Sequence, residues 1–286
     1  MENSIYTRKL NKNYGALKAV NNLNLEVHEK EIFGFLGPNG AGKTTTIRVL
    51  TTLTRPSSGV ASVGGFDVSK EQNKVKRLIG VVQQHLTLDR DLTVRENMEF
   101  HARLHRLSAS ERKARVADLL DFVELQDYAD KMVDTLSGGM KKRAAIVCSL
   151  LHQPKVLFLD EPTEGLDAQS RRKLWDLVRR LNSEGTTIFL TTHYIEEAEA
   201  LCERVGIMHH GKLIALGTPP ELRNKLGPVA VEKLAENKET RYRFFEDRTG
   251  AAKYAQSLPA NVKTVIRDSN LEDVFVELTG EKVGGA

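Results

Sequence analysis

Residues 37–44 read GPNGAGKT and combine three glycines with a lysine and a threonine. The segment follows an apolar run and precedes a helical pattern. Its backbone N–H groups can therefore turn toward phosphate oxygens, and the start of the helix adds partial positive charge. In this pattern Lys43 reaches the β- and γ-phosphates and the hydroxyl of Thr44 binds Mg²⁺. We predict a nucleoside triphosphate site that uses Mg²⁺.

Two adjacent carboxylates follow a second apolar run, in VLFLDEP. Asp160 and Glu161 are expected at the carboxyl end of a buried strand, where open α/β sheets bind ligands. Asp160 is positioned to hold Mg²⁺ through water, and Glu161 to accept the proton of an attacking water. The same pair could instead cap the following helix.

Three more side chains have the chemistry to complete such a site. His193 ends the run TTIFLTTH, where a neutral imidazole could bond the γ-phosphate and align the water, although an isolated histidine is usually structural. Gln84, which follows IGVVQ, could contact Mg²⁺ and the water. Gln83 is a competing candidate, and either could be a surface residue. Tyr14 could stack on an adenine ring or belong to the core.

The segment LSGGMKKR contains Ser137, Gly138 and Gly139 ahead of a basic helical pattern. A serine hydroxyl, exposed N–H groups and a helix start make an anion site, and Arg143 adds a positive charge about one turn later. The same residues would also serve as a plain helix cap, so the segment alone does not decide between the two interpretations.

The elements that must position these residues form an α/β pattern. VLFLD and TTIFLTTH contain apolar runs, which are typical of parallel strands buried on both faces. The helical pattern between them ends at Gly185, giving a β-α-β unit. NLNLEVHEK alternates as a half-buried antiparallel strand does. Residues 94–151 are predicted to be mostly helical, including a capping box at Ser108 and Glu111. The fold class is therefore a parallel-sheet core with antiparallel strands and an inserted helical subdomain.

The C-terminal part has a different pattern. TPPE is a capping box that begins a short helix ending near Gly227. ETRYRFFED and VKTVIRD are predicted strands, and AAKYAQSL and NLEDVFVEL are predicted helices, the second behind a capping box of Ser269 and Glu272. These elements indicate a small α+β appendage, too small for many isolated domains, which should pack on the core or on a partner.

Composition excludes several classes of protein. The net charge of +4 arises from 42 basic and 38 acidic side chains, which is too weak to indicate nucleic acid binding. Cys148 and Cys202 lack metal-ligand spacing and are expected to be buried free thiols, and the adjacent His209 and His210 do not face each other as ligands would. No run approaches the roughly 18 apolar residues that cross a bilayer, and no signal peptide is evident, so a cytosolic protein is expected.

At this point the sequence resembles an ATP-binding cassette (ABC) transporter ATPase, because six motifs occur in that family's order over residues 5–226. The resemblance implies a RecA-like P-loop core in a domain of residues 1–226 and an accessory domain of residues 227–286. It implies ATP and Mg²⁺ as ligands, with Glu161, His193 and Gln84 as catalytic residues and Thr44, Gln84 and Asp160 at the metal. The residues that it assigns to ATP are Tyr14, Gly37, Pro38, Asn39, Gly40, Ala41, Gly42, Lys43, Thr44 and Thr45.

The resemblance also implies partners. Two cassettes of this family pair head to tail, so Ser137, Gly138 and Gly139 would contact ATP held by a second subunit, with Asp167 in the D-loop between them. The second subunit could be a copy or a relative. A separate transmembrane permease is expected to hold this chain at the cytoplasmic face of the membrane, and no nucleic acid partner is expected. Met140 and TEGLD depart from the commoner family pattern and are similar to drug-resistance and antibiotic exporters. The alternatives are an importer ATPase or a soluble ABC ATPase with a non-transport partner.

Overall fold

The apolar runs of the sequence become the strands of three sheets. The computed structural model of this chain describes residues 3–84, 88–234, 240–259 and 262–280. Within those residues the strands are β1 (Asn3–Tyr14), β2 (Leu17–His28), β3 (Ile32–Leu36), β4 (Ser58–Val63), β5 (Phe66–Asp67), β6 (Ile79–Val82), β7 (Val156–Asp160), β8 (Thr187–Thr192), β9 (Arg204–His209), β10 (Lys212–Gly217), β11 (Val229–Leu234), β12 (Thr240–Phe245) and β13 (Thr264–Asp268).

Helices connect these strands and cover the main sheet. In the described residues the α-helices are α1 (Lys43–Leu50), α2 (Gln72–Leu78), α3 (Val94–Leu104), α4 (Ala109–Phe122), α5 (Gly138–Leu150), α6 (Ala168–Ser183), α7 (Ile195–Leu201), α8 (Pro219–Leu226), α9 (Arg248–Ser257) and α10 (Leu271–Thr279). None of them combines the length and apolarity that crossing a bilayer requires, as far as the described ranges go.

The central sheet has the strand order β10-β9-β3-β8-β7-β6 and is parallel from β9 to β6. Every residue of β3, β7 and β8 is buried, which explains the apolar runs in their sequences. Alternate side chains serve opposite faces: Phe158 and Phe189 pack toward the antiparallel sheet, whereas Leu159 and Leu190 pack toward the helical side. The prediction of a parallel-sheet core is confirmed.

The second sheet, β2-β1-β4-β5, is antiparallel and lies over one face of the central sheet. Leu23, Leu25 and Val27 of β2 are buried while their neighbours are more exposed, as the alternation predicted. Their core also includes the phenylalanines of the central sheet, so the two sheets share one apolar layer.

Between β6 and β7 the chain forms the predicted helical insertion of α3, α4 and α5. Ser108 and Glu111 form the predicted capping box of α4, and Thr93 with Glu96 forms another at α3. Two short 3₁₀ turns interrupt the helical run before α5. The insertion packs through Val94, Met98 and Leu120 into the core that also covers β7 and β8.

The third sheet, β12-β11-β13, forms the C-terminal part together with α9 and α10. Strand β11 was absent from the sequence prediction. The predicted box of Ser269 and Glu272 is wrong: Asn270 caps α10 and exchanges hydrogen bonds with Asp273. Of the two expected packing partners, α10 meets the core, where Phe275 is fully buried, whereas the third sheet and α9 share a separate apolar cluster. Both cysteines are free and buried, and burial raises the pKa of the Cys148 thiol to about 12.

Candidate active site

The loop between β3 and α1 surrounds the ammonium group of Lys43. Gly42 precedes the helix with φ of 107°, and a Cβ there would lie 2.2 Å from the carbonyl oxygen of Ala19, so only glycine fits. Lys43 is 4% exposed, and its Nζ donates to the carbonyl oxygens of Gly37 at 2.7 Å and Pro38 at 3.1 Å. The loop thus holds the lysine at the start of a helix, where an anion is stabilised.

Asp160, the last residue of β7, is held by two hydroxyl groups. Thr191 Oγ1 donates to Asp160 Oδ1 at 2.5 Å, and Thr44 Oγ1 donates to the same oxygen at 3.2 Å. Burial raises the pKa of the Asp160 carboxyl, while the hydrogen bonds from Thr191 and Thr44 act in the opposite direction. The hydroxyl of Thr44 and the carboxylate of Asp160 therefore meet at one point.

Glu161 connects the phosphate loop with His193. Its Oε1 lies 3.2 Å from Lys43 Nζ, and its Oε2 lies 2.8 Å from His193 Nδ1. Its φ of 48° is a left-handed value that is rare outside glycine and frequent at functional sites. The N–H of Glu161 donates to both the carbonyl and the hydroxyl oxygen of Thr191, each at 3.1 Å. The alternative that this acid pair caps the next helix is wrong, because Asp167 caps α6.

A cleft of about 570 Å³ is lined by Lys43, Thr44 and Glu161, whereas Asp160 and His193 are not part of its lining. Tyr14 lines it and is 45% exposed, so the alternative that Tyr14 belongs to the core is wrong. Ala41 is 3% exposed and lies behind the cleft surface. The residues that line the cleft are Tyr14, Leu17, Lys18, Ala19, Asn39, Gly40, Gly42, Lys43, Thr44, Thr45, Gln84, Glu161, His210 and Gly211.

Gln84 reaches this cleft, whereas Gln83 lines a different depression beside Leu53 and His101. The Nε2 of Gln84 donates to Glu164 Oε2 at 2.7 Å, and the Nζ of Lys142 donates to the backbone oxygen of Gln84 at 3.0 Å. Of the two candidates from the sequence, only Gln84 is therefore next to the phosphate loop and the acid pair.

The segment of Ser137, Gly138 and Gly139 begins α5, and none of the three residues lines the cleft. Ser137 accepts a hydrogen bond from the N–H of Met140 at 3.3 Å, and Gly138 is exposed. The expectation that Arg143 adds a charge to this segment is wrong: its guanidinium donates to the Val123 carbonyl and pairs with Glu124.

The D-loop residue Asp167 is close to the same segment. Its carboxylate accepts from the N–H of Ser170 at 2.9 Å and from the Ser170 hydroxyl at 2.7 Å, and these bonds lower the pKa of Asp167. A Cβ at Gly139 would lie 2.7 Å from Ser170 Oγ, so the starts of α5 and α6 are in close contact.

Sequence reasoning missed four polar residues around the site: Thr191, Lys142, Glu164 and Glu197. Glu197 is 1% exposed and accepts from Trp175 Nε1 at 3.2 Å, and burial raises its pKa. The available signals were the threonines of β8 for Thr191 and the basic run at the start of α5 for Lys142. Nothing in the sequence shows which partner each one meets.

The glycine-rich loop between a strand and a helix, with an acid pair at a neighbouring strand end, defines a P-loop ATPase. A family model described as "ABC transporter" matches residues 20–164. The daunorubicin/doxorubicin resistance ATP-binding protein DrrA of Streptomyces peucetius is 38% identical over 305 residues, covering 97% of this chain and 92% of that protein. The Nod factor export ATP-binding protein I of Paraburkholderia xenovorans is 38% identical over 303 residues, covering 99% of each.

Solved structures agree with this family. The dimeric post-hydrolysis structure of the ATP-binding cassette MJ0796, bound to ADP and Pi, has a TM-score of 0.69 and 28% identity, covering 75% of this chain and 98% of that chain. The chain belongs to the ABC transporter family. It is an ATP-binding protein and an ATPase, and its relatives include ATP-binding proteins of the exporter type.

Proposed function

We propose that this chain is the ATP-hydrolysing subunit of a membrane exporter and drives a compound through a separate transmembrane subunit. The observation that carries the proposal is the meeting of Lys43, Thr44, Asp160, Glu161 and His193 at the carboxyl ends of β3, β7 and β8. This is the edge of a parallel sheet at which ligands bind.

Each residue has a distinct role in the proposal. Lys43 and backbone N–H groups between residues 39 and 45 bind the phosphates, and Tyr14 stacks on the adenine ring. Glu161 accepts the proton of the attacking water, because its carboxylate follows β7 next to Asp160 and lines the cleft that contains Lys43 and Thr44. His193 hydrogen-bonds the γ-phosphate and keeps the Glu161 carboxylate aligned.

The donor set fits Mg²⁺. The Thr44 hydroxyl, the Asp160 carboxylate and the side-chain oxygen of Gln84 are hard oxygen ligands of the kind that this ion prefers. Bound there, Mg²⁺ would neutralise charge on the β- and γ-phosphates. Thr191 holds the Asp160 carboxylate toward Thr44 through its 2.5 Å hydrogen bond.

We further propose that two cassettes pair head to tail and share each ATP. The start of α5 is exposed at Ser137 and Gly138, and its hydroxyl and N–H groups are suited to a phosphate. These residues are not part of the cleft lining, so they fit ATP held by a second copy or a relative. Asp167 would lie between the two sites through its contact with the start of α5.

The exporter assignment is supported by the relatives, whose names specify drug resistance and Nod factor export. On this proposal the chain acts at the cytoplasmic face of the membrane through its permease, with residues 1–226 as the ATP-binding domain and residues 227–286 as an accessory domain. Co-expression with a candidate permease tests it. The chain should then move into the membrane fraction and hydrolyse ATP faster when the transported compound is added.

Complementation between two inactive variants tests the shared site. Lys43→Ala disables the phosphate loop, and Gly138→Asp places a negative charge at the start of α5. The new side chain has room, because a Cβ at Gly138 would be 3.5 Å from Leu166 Cδ2. Each variant alone should be inactive. Their mixture should regain about a quarter of the parent activity, since half of the dimers are mixed and each mixed dimer has one intact site. If the mixture recovers no activity and the unaltered protein hydrolyses ATP as a monomer, the proposed pairing is contradicted.

A further inference from the structure

Glu164, in the TEGLD segment after the catalytic carboxylates, contacts Gln84 from 80 positions away in the sequence. The Nε2 of Gln84 donates to Glu164 Oε2 at 2.7 Å, a length typical of a charge-assisted hydrogen bond. Both side chains are partly buried, and Gln84 lies at the wall of the ATP cleft. The loop after β6 is thereby joined to the segment that leads into α6.

The chemistry of the two side chains determines the orientation of the amide. An ionised glutamate only accepts hydrogen bonds, whereas a glutamine has an NH₂ donor at one end and an oxygen acceptor at the other. Glu164 therefore takes the NH₂ end of Gln84, and Oε1 is the end that remains for another partner. Mg²⁺ binds the oxygen of an amide and not its nitrogen, so only this orientation can serve a metal.

Lys142 fixes the same residue from the other side. Its Nζ donates to the backbone oxygen of Gln84 at 3.0 Å, and its side chain is 5% exposed. Burial lowers the pKa of the Lys142 ammonium, and the negative charge of Glu164 opposes that shift. One charged residue on α5 thus holds the backbone of Gln84 while another, ahead of α6, holds its side chain.

We propose that Glu164 is a positioning residue for Gln84, which orients the amide so that Oε1 faces the ATP cleft and thereby sets the affinity of the site for Mg²⁺. The inference rests on the proposed role of Gln84 as a metal ligand. It gives a function to the glutamate at which this sequence departs from the commoner family pattern, where the position holds a serine.

The test measures Mg²⁺ binding separately from turnover. In a Glu161→Gln background, Mg²⁺ is titrated at saturating ATP, and the half-saturating Mg²⁺ concentration is determined from the melting temperature. Glu164→Met removes the acceptor, so Gln84 distributes over three side-chain wells and two amide orientations, and this concentration should rise roughly sixfold. Glu164→Gln both donates and accepts, so it permits both orientations, and the expected rise is about twofold.

Two controls separate positioning from general effects. ATP affinity in EDTA should not change in either Glu164 variant, because the phosphate loop is intact. Glu196→Gln removes the same charge from a glutamate that is 79% exposed and paired with Arg171, and it should leave the half-saturating Mg²⁺ concentration unchanged.

Gln84→Ala distinguishes failure of this inference from failure of the proposed function. If Gln84→Ala weakens Mg²⁺ binding while Glu164→Met stays within twofold of the parent, Gln84 remains a metal ligand and the role of Glu164 is overturned. If Gln84→Ala has no effect, the metal role of Gln84 fails, and this inference fails with it. The double variant should bind Mg²⁺ no more weakly than Gln84→Ala alone; additive losses would show that Glu164 acts independently and would overturn the proposal.

Discussion

Thr191 offers the sharpest test of how β8 supports the catalytic carboxylates. It is fully buried, and its hydroxyl donates to Asp160 Oδ1 at 2.5 Å and accepts from the N–H of Glu161 at 3.1 Å. Thr191→Val keeps the side-chain shape, so no cavity forms, but both hydrogen bonds are lost. A hydrogen bond to a carboxylate contributes about 1.5–3 kcal/mol. The N–H of Glu161 keeps the Thr191 carbonyl, so the expected loss of unfolding free energy is about 2 kcal/mol.

In Thr191→Val, ATP hydrolysis should be impaired even though the protein remains folded. Asp160 Oδ1 retains only the 3.2 Å hydrogen bond from Thr44 among the hydroxyl partners described here, and the left-handed backbone of Glu161 loses one of its two restraints. Loss of a residue that orients a metal-binding carboxylate typically costs tenfold to a hundredfold. We therefore expect kcat for ATP hydrolysis to fall by at least about tenfold, with ATP affinity in EDTA unchanged.

The same strand provides the control. Thr187, at the opposite end of β8, is 2% exposed and accepts a hydrogen bond from the N–H of Lys30 at 2.9 Å. Thr187→Val should cost about 1 kcal/mol and leave hydrolysis unchanged, because that hydrogen bond is neutral and distant from the cleft. Urea unfolding at constant m-value measures the stability of both variants, and phosphate release measures their activity. The proposed role of Thr191 would be refuted if the two variants lost equal unfolding free energy and equal activity, or if Thr191→Val kept full activity.

Three further predictions concern other parts of the chain. Glu161→Gln should lower turnover by a factor on the order of 10²–10⁴ in a phosphate-release assay while ATP still binds, because an amide cannot accept the proton. Burial, and then His105, lowers the pKa of His152 from 6.5 to about 4. The unfolded chain therefore binds more protons between those values, and acidification from pH 6.5 to 4 should reduce the unfolding free energy by about 1–2 kcal/mol after allowance for solvent screening. His152→Gln should reduce that slope in urea titrations, and the remaining slope includes His101 and His105, whose pKa values burial also lowers. Phe275→Ala should cost about 3 kcal/mol in the same titrations, because the ring is fully buried between α10 and the core.

The sequence predicts best where a single physical signal dominates. Apolar runs in the sequence predicted β7 and β8, because both faces of these strands are buried. The loop before α1 was predictable because its glycines and its lysine have the fixed spacing of a phosphate-binding loop. The end of α6 was predictable because Gly185, with φ of 101°, follows the last turn.

Competing local signals caused the errors. Ser269 with Glu272 and Asn270 with Asp273 are both possible capping boxes, one residue apart. The second one forms because Asp273 also pairs with Arg267, at 2.7 Å and 2.8 Å, and that contact cannot be deduced from spacing. Two of the three adjacent cations in α5 raise the same difficulty. Arg143 turns toward Val123, whereas Lys142, next to it, reaches Gln84.

The donors of Lys43 suggest how ATP itself prepares the base. An ammonium group has three N–H donors, and here they face the carbonyl oxygens of Gly37 and Pro38 and the carboxylate of Glu161. The two carbonyls belong to the loop itself, so the contact with Glu161 is the one that a γ-phosphate could replace without a change in the loop. One oxygen of Glu161 then becomes free to accept a proton, while the other stays 2.8 Å from His193 Nδ1. We infer that a triphosphate in the loop would release Glu161 from its contact with Lys43 and so favour its action as a base.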